Sequence, residues 1–190
     1  MGERRAMHIG LFGGSFDPPH ICHSLFCLYV LEMTDVEKIL WVPCADHPFE
    51  KAEAAFEHRL AMSRLAAHGL APRVEVSDIE NTLPRPSYTI HTVEALRRQM
   101  PGARISLLIG SDIVGELDRW ERIEELRRLA EFIVVPRGGF VSASETAIAL
   151  PRLSSTAIRA ALAEGKTIEG AVAPAVRGYI ERNGIYRKRK

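Results

Sequence analysis

Alternation constrains this chain more than any other feature. Short apolar runs over 8–12, 39–42, 73–76, 104–109 and 132–135 are separated by longer stretches with apolar residues at helical spacing, over 20–32, 56–68, 88–99 and 120–129. Two further helical patterns follow at 155–163 and 173–182. Gly13-Gly14, Pro43, Gly110 and Pro136 close four of the runs; Gly69 is expected to cap the second helix, and Pro101-Gly102 to stop the third. A strand, a helix and another strand in sequence require a crossover. Neighbouring strands therefore run parallel, and helices cover both faces of the sheet.

Length sets the scale. At 190 residues the chain fits one domain, 1–190, with a helical part near 154–186. It buries roughly 70% of its unfolded surface, enough for a core without disulfides or structural metal. The net charge of +1 lacks the broad basic field that duplex nucleic acid needs, and the basic tail 187–190 reads as a solvated end. Cysteines 22, 27 and 44 are odd in number and follow no framework spacing, which suits a reducing compartment. The apolar run 25–31 is far too short to span a bilayer, and the charged start 1–7 does not resemble a signal peptide. The expectation is a cytoplasmic protein with no nucleic-acid or membrane partner.

Ligands of parallel sheets bind beyond the carboxyl ends of the strands. That rule selects the loops 13–23, 43–51, 110–120 and 136–155. The first reads Gly13-Gly14-Ser15-Phe16-Asp17-Pro18-Pro19-His20-Ile21-Cys22-His23. Two glycines at a strand end let the backbone approach a ligand closely. Two histidines three apart share one side of the next helix, and the helix start adds N–H groups and a partial positive charge. Together they suit a polyphosphate. Neither the dinucleotide fingerprint nor the P-loop is spelled out. His20, Cys22, His23 and Cys27 also offer metal-ligand chemistry, although their spacing matches no usual zinc module and Cys27 reads equally as a small buried hydrophobe. The loop 136–155 leads into Leu153-Ser154-Ser155-Thr156-Ala157-Ile158-Arg159. Its hydroxyls cap a helix, and its arginine, one turn in, can fork onto phosphate oxygens.

The first segment resembles the G-G-[ST]-F-D-P-x-H-x-G-H signature of HxGH nucleotidylyltransferases, and the second resembles their I-S-S-T-x-I-R motif. Pro86-Ser87-Tyr88-Thr89-Ile90-His91-Thr92, Ile109-Gly110-Ser111-Asp112 with Trp120, and the ending over 172–186 are similar to segments of the nicotinate-nucleotide adenylyltransferases. The likeness runs from about Met7 to Tyr186. With the alternation it implies an α/β fold: a Rossmann-like doubly wound parallel sheet of about five to six strands with C-terminal helices.

The resemblance also implies roles. Gly13, Gly14, Ser15, Phe16, Gly110 and Asp112 would bind ATP, with Asp112 on the ribose hydroxyls. His20, His23 and Arg159 would be catalytic, with Ser155 and Thr156 beside Arg159 on the β- and γ-phosphates. Tyr88, Thr89 and Trp120 would hold the pyridine ring of a mononucleotide, and Lys51 its phosphate. Mg²⁺ would enter on the ATP phosphates, with no metal site of the protein's own, and a homo-oligomer is open. Two departures stand out. Cys22 replaces the glycine between the histidines and adds a side chain beside the nucleotide. Asp46-His47-Pro48-Phe49-Glu50-Lys51 stands where the family carries P-P-H-K, which leaves the identity of Lys51 open. Nicotinamide mononucleotide and phosphopantetheine are the alternative acceptors.

Overall fold

The computed structural model describes residues 6–48, 52–138, 150–151 and 153–187. Five parallel strands form one sheet: β1 (His8–Gly14), β2 (Lys38–Pro43), β3 (Val74–Val76), β4 (Arg104–Gly110) and β5 (Glu131–Val135), in the order β3-β2-β1-β4-β5. The first strand is central. It pairs with β2 on one side, Leu11 facing Leu40, and with β4 on the other, His8 facing Arg104. The chain reverses its direction of travel across the sheet between β1 and β4, and a crevice opens there at the strand ends.

Side chains alternate along each strand and feed two cores. Ile9 and Leu11 of β1 join Leu40, Val42, Ile105 and Leu107 against helices α3 (Thr89–Gln99) and α4 (Ile123–Leu129). Phe12 joins Ile39, Trp41 and Leu108 against α1 (Ile21–Met33) and α2 (Phe56–Ala67). Burial on both faces explains why these strands read as continuous apolar runs. A third cluster packs Met62 of α2 against Ile158 of α5 (Ser155–Ala163) and against Val176 and Ile180 of α6 (Pro174–Asn183). At the amino ends of the strands, away from the crevice, buried His8 bridges Ser106 Oγ at 2.8 Å and Asp35 at 3.0 Å.

Two expectations about helices need correction. The second helix ends at Ala67 and tightens into a 3₁₀ turn, His68–Leu70; Gly69 sits inside that turn and has no left-handed capping conformation. The helix expected from Trp120 starts only at Ile123. Residues Val114–Arg119 form a 3₁₀ segment, and Arg122 in left-handed conformation (φ 52°) breaks the path between the two. The Glu/Arg pairs of that stretch keep helical spacing up to its first residues, and nothing in them marks the left-handed turn at Arg122.

Candidate active site

The carboxyl ends of β1 and β4 open onto a cavity of about 650 Å³. Nearly every residue singled out from the sequence lines it: Gly13, Gly14, Ser15, Phe16, His20, Cys22 and His23 from the first loop, Tyr88, Thr89 and Trp120 from the middle of the chain, Gly110 and Asp112 after β4, and Ser155, Thr156 and Arg159 from α5. Lys51 lies outside the described residues.

The first loop is held by its own side chains. Phe16 turns in left-handed conformation (φ 48°) so that its ring packs edge-on to Phe12, at 5.2 Å, and beneath Gly14, where a Cβ would press on it. Gly13, by contrast, faces open space. Asp17 is buried and tied on three sides: the N–H groups of Glu53 (2.7 Å) and Ala54 (3.2 Å) and the Tyr186 hydroxyl (2.6 Å) all donate to its carboxylate. Arg59 is also buried; its guanidinium donates to the carbonyls of Ser15 (2.8 Å), Cys44 (2.6 Å) and Ala54 (3.1 Å), which locks the loop to the end of β2.

His20 precedes α1, and His23 lies one turn in. Their rings stack with centroids 3.6 Å apart. The His20 N–H donates to His23 Nδ1 at 3.0 Å, so a neutral His23 carries its proton on Nε2 and presents a donor there. His20 Nδ1 is buried without a protein partner. Burial first, and then the Arg137 cation, lower the His20 pKa to about 4. Burial, then His20 and Arg137, hold His23 well below its ordinary value. The pair is therefore neutral in the free protein: two hydrogen-bonding rings awaiting an anionic ligand. Cys22, beside them, is buried, which pushes its thiol pKa up and leaves it an unreactive S–H.

Arg137, which the sequence reading passed over, anchors the opposite wall. It donates to Asp112 Oδ2 at 2.8 Å and to the Leu153 carbonyl at 3.2 Å, joining β5 to the turn after β4 and to the approach to α5. Asp112 keeps its other oxygen, Oδ1, buried and unpaired. A Cβ on Gly110 would collide with both side chains, so glycine is required there. Only the strand ends brought together by folding reveal Arg137; no local motif marks it.

On α5 the cap is Ser154, whose Oγ accepts from the Ala157 N–H at 3.2 Å. The Ser155 hydroxyl is committed to the Pro18 carbonyl at 2.8 Å, leaving Thr156 as the exposed hydroxyl on the wall. Arg159 pairs through Nε with Glu53 at 2.7 Å and donates through Nη1 to the Asp17 carbonyl at 2.8 Å. Its fork thus leans on the first loop, which brings both motifs to one place. At the far end Tyr88 precedes α3 and Thr89 begins it, while Trp120, half-buried, packs on the core and borders the cavity at once. Among the described residues no group of three or more His, Cys, Asp or Glu is placed to hold a metal ion. None of their helices is long and apolar enough to cross a membrane.

Comparison with known proteins matches this architecture to a class. Residues 11–161 fit the cytidylyltransferase-like family, whose profile spans the sheet and the first helix of the C-terminal part. A probable nicotinate-nucleotide adenylyltransferase of Anaeromyxobacter dehalogenans is 40% identical over 182 residues, covering 94% of this chain and 96% of the relative. A protein of the same description from Thermus thermophilus is 35% identical over 95% of this chain and 100% of its own. The chain belongs to the nicotinate-nucleotide adenylyltransferase family. The fold agrees with a solved structure of Plasmodium falciparum nicotinic acid mononucleotide adenylyltransferase complexed with NaAD: TM-score 0.80 and 19% identity, over 94% of this chain and 97% of that one.

Proposed function

We propose that the protein transfers the adenylyl group of ATP to nicotinate mononucleotide, giving nicotinate adenine dinucleotide and pyrophosphate, within one nucleotidyltransferase domain spanning 1–190. The observation that carries this reading is the convergence of the stacked histidines, the start of α5 and the Thr89–Trp120 end on one cavity.

The 5′-phosphate of the acceptor attacks the α-phosphorus of ATP in line. It is already an anion at neutral pH, so no general base and no covalent enzyme nucleophile are required. Catalysis is positioning and stabilisation of phosphate charge. His23 Nε2–H and His20 donate to the α- and β-phosphates, and the N–H groups of Ser15 and Phe16 add to them beside the open face of Gly13. Arg159, Thr156 and the backbone of Ser155 hold the leaving pyrophosphate, and Arg137 adds a second cation. Asp112, with one oxygen unpaired, accepts from the ribose. The first turn of α3 at Thr89, next to Tyr88, receives the nicotinate carboxylate at a helix N-terminus, and Trp120 covers the ring. Mg²⁺, held by the triphosphate oxygens and not by side chains of the protein, would supply charge neutralisation there. Lys51 belongs to the acceptor phosphate. Nucleotides are the only partners this reading needs, and a cytoplasmic location accompanies it.

The test is pyrophosphate release from ATP and Mg²⁺ with nicotinate mononucleotide, nicotinamide mononucleotide and phosphopantetheine in parallel. Marked preference for the nicotinate form is expected, and preference for either of the others would replace the acceptor. His23→Ala is expected to cut kcat by about a hundredfold or more while leaving ATP affinity within a few-fold. An unchanged kcat would remove His23 from the mechanism.

A further inference from the structure

A line of buried polar contacts runs between the first loop and α3. At its centre is the peptide unit that joins Cys44 to Ala45, just past the end of β2. The Arg59 guanidinium donates to the carbonyl of that unit at 2.6 Å, and the Glu80 carboxylate, in the 3₁₀ turn Ile79–Thr82, accepts from its N–H at 3.1 Å. Arg59 is 3% exposed and Glu80 7%. A buried cation and a buried anion thus grip opposite ends of one peptide dipole, and each offsets part of the desolvation of the other. The same guanidinium nitrogen donates to the Ser15 carbonyl in the first loop at 2.8 Å, and the second Glu80 oxygen accepts from the Thr92 hydroxyl at 3.0 Å. Thr92 is buried and lies one turn along α3 from Thr89. On either side of the peptide the Cys44 N–H donates to the Gly14 carbonyl at 2.8 Å, and Ser87 exchanges two hydrogen bonds with the backbone of Asp46, at 2.8 and 3.1 Å.

On the reading given above, the triphosphate lies on the first loop and the acceptor on the start of α3. In-line transfer needs the attacking oxygen about 3–3.5 Å from the α-phosphorus, and a misplacement of about 1 Å can cost a hundredfold in rate. The spacing between the two elements therefore governs the distance between the two reactants. We infer that Arg59 and Glu80 are positioning residues: clasped on the Cys44–Ala45 peptide, they form a strut that sets this spacing, acting through Ser15 and Thr92 rather than on either substrate. The inference deepens the adenylyl-transfer reading and rests on it.

The test separates rate from affinity. The full chain carrying Glu80→Ala, Glu80→Gln or Thr92→Val is assayed for single-turnover transfer to nicotinate mononucleotide, and for equilibrium binding of ATP and of the mononucleotide, well below its melting temperature. Glu80→Ala removes the strut and is expected to slow transfer by about tenfold or more while each dissociation constant stays within about threefold. Glu80→Gln keeps both contacts, with the Thr92 oxygen now accepting from the amide, and should return the rate to within about threefold of the wild type. Thr92→Val cuts only the link to α3 and should slow transfer by about threefold, which gives a result even where Glu80→Ala does not fold. A purely structural role would lower the Tm of these variants and leave their single-turnover rates unchanged, which would overturn the inference. So would a loss carried by one dissociation constant, which would place Glu80 in that substrate's subsite. A Glu80→Gln as slow as Glu80→Ala would also overturn it, by making charge rather than spacing the cause. No transfer by the wild type would sink the transfer reading itself, whereas an active wild type with unslowed variants sinks the inference alone.

Discussion

Two imidazolium rings stacked 3.6 Å apart would repel strongly, and burial already disfavours charging either one. The consequence is a stability that depends on pH in a defined direction. The folded His20 pKa is about 4 against an ordinary 6.5, so between those values the unfolded chain binds the proton that the folded chain refuses. Stability conferred by the neutral ring is complete above pH 6.5 and is lost as pH falls towards 4, amounting to roughly 3 kcal/mol for His20 alone. Thermal melts from pH 7.5 down to 4.5 are expected to show a steeper fall in Tm for the wild type than for His20→Gln, which cannot titrate. Parallel curves would show that the ring does not govern the acid limb.

Much of this arrangement was legible in the sequence, because the first loop and the Ser154–Arg159 segment are each contiguous, and their resemblance to two motifs of one family implied the single cavity that both of them line. Arg137 was not, nor were the partners that fix Asp17 and Arg59. Each acts through partners far along the chain, such as Arg137 on Asp112 or Asp17 on Tyr186, and sequence spacing carries no trace of such pairings.

At the scale of elements, the strands matched their expected positions within one or two residues because burial on both faces leaves an unbroken apolar run. The stretch after β4 did not. The helix expected from Trp120 begins only at Ile123, because Arg122 before it is left-handed, a conformation for which its residue type has no preference. The same region shows why Trp120 admitted two readings: it leaves the 3₁₀ segment half-buried on the core while still bordering the cavity. On α5 the cap has a checkable effect. Ser154→Ala removes the acceptor of the Ala157 N–H. It is expected to cost about 1 kcal/mol and to speed amide exchange in the first turn, which carries Thr156 and leads into Arg159. Unaltered exchange in that turn would mean the packing of Ile158, rather than the cap, holds the helix end.

For the whole molecule, the cavity is assembled from parts that meet only late in the chain. The C-terminal helices sit on α2 through Met62, Ile158, Val176 and Ile180, and they reach the first loop through Ser155 on Pro18, Arg159 on Asp17 and Tyr186 on the Asp17 carboxylate. Burial and the neighbouring Asp17 charge raise the Tyr186 pKa, so its hydroxyl remains a donor throughout the working range. Tyr186→Phe should lower stability by about 1.5 kcal/mol, as expected for a hydrogen bond to a charged acceptor. It should also raise KM for ATP, since the loop loses one of three ties. Denaturant melts and initial rates read the two effects separately, and a loss of stability with no change in KM would confine Tyr186 to the fold. The central strand β1 has a further consequence, for how the protein comes into being. It is made before either of its partner strands, β4 begins only at Arg104, and the last of the ties on its loop comes from Tyr186. During synthesis β2 can cover one edge of β1 early, but the other edge stays open until β4 has emerged, past the middle of the chain. The nascent chain therefore passes through an interval in which one edge of β1 is open to aggregation, and no fragment ending before Tyr186 can hold the first loop with all its ties.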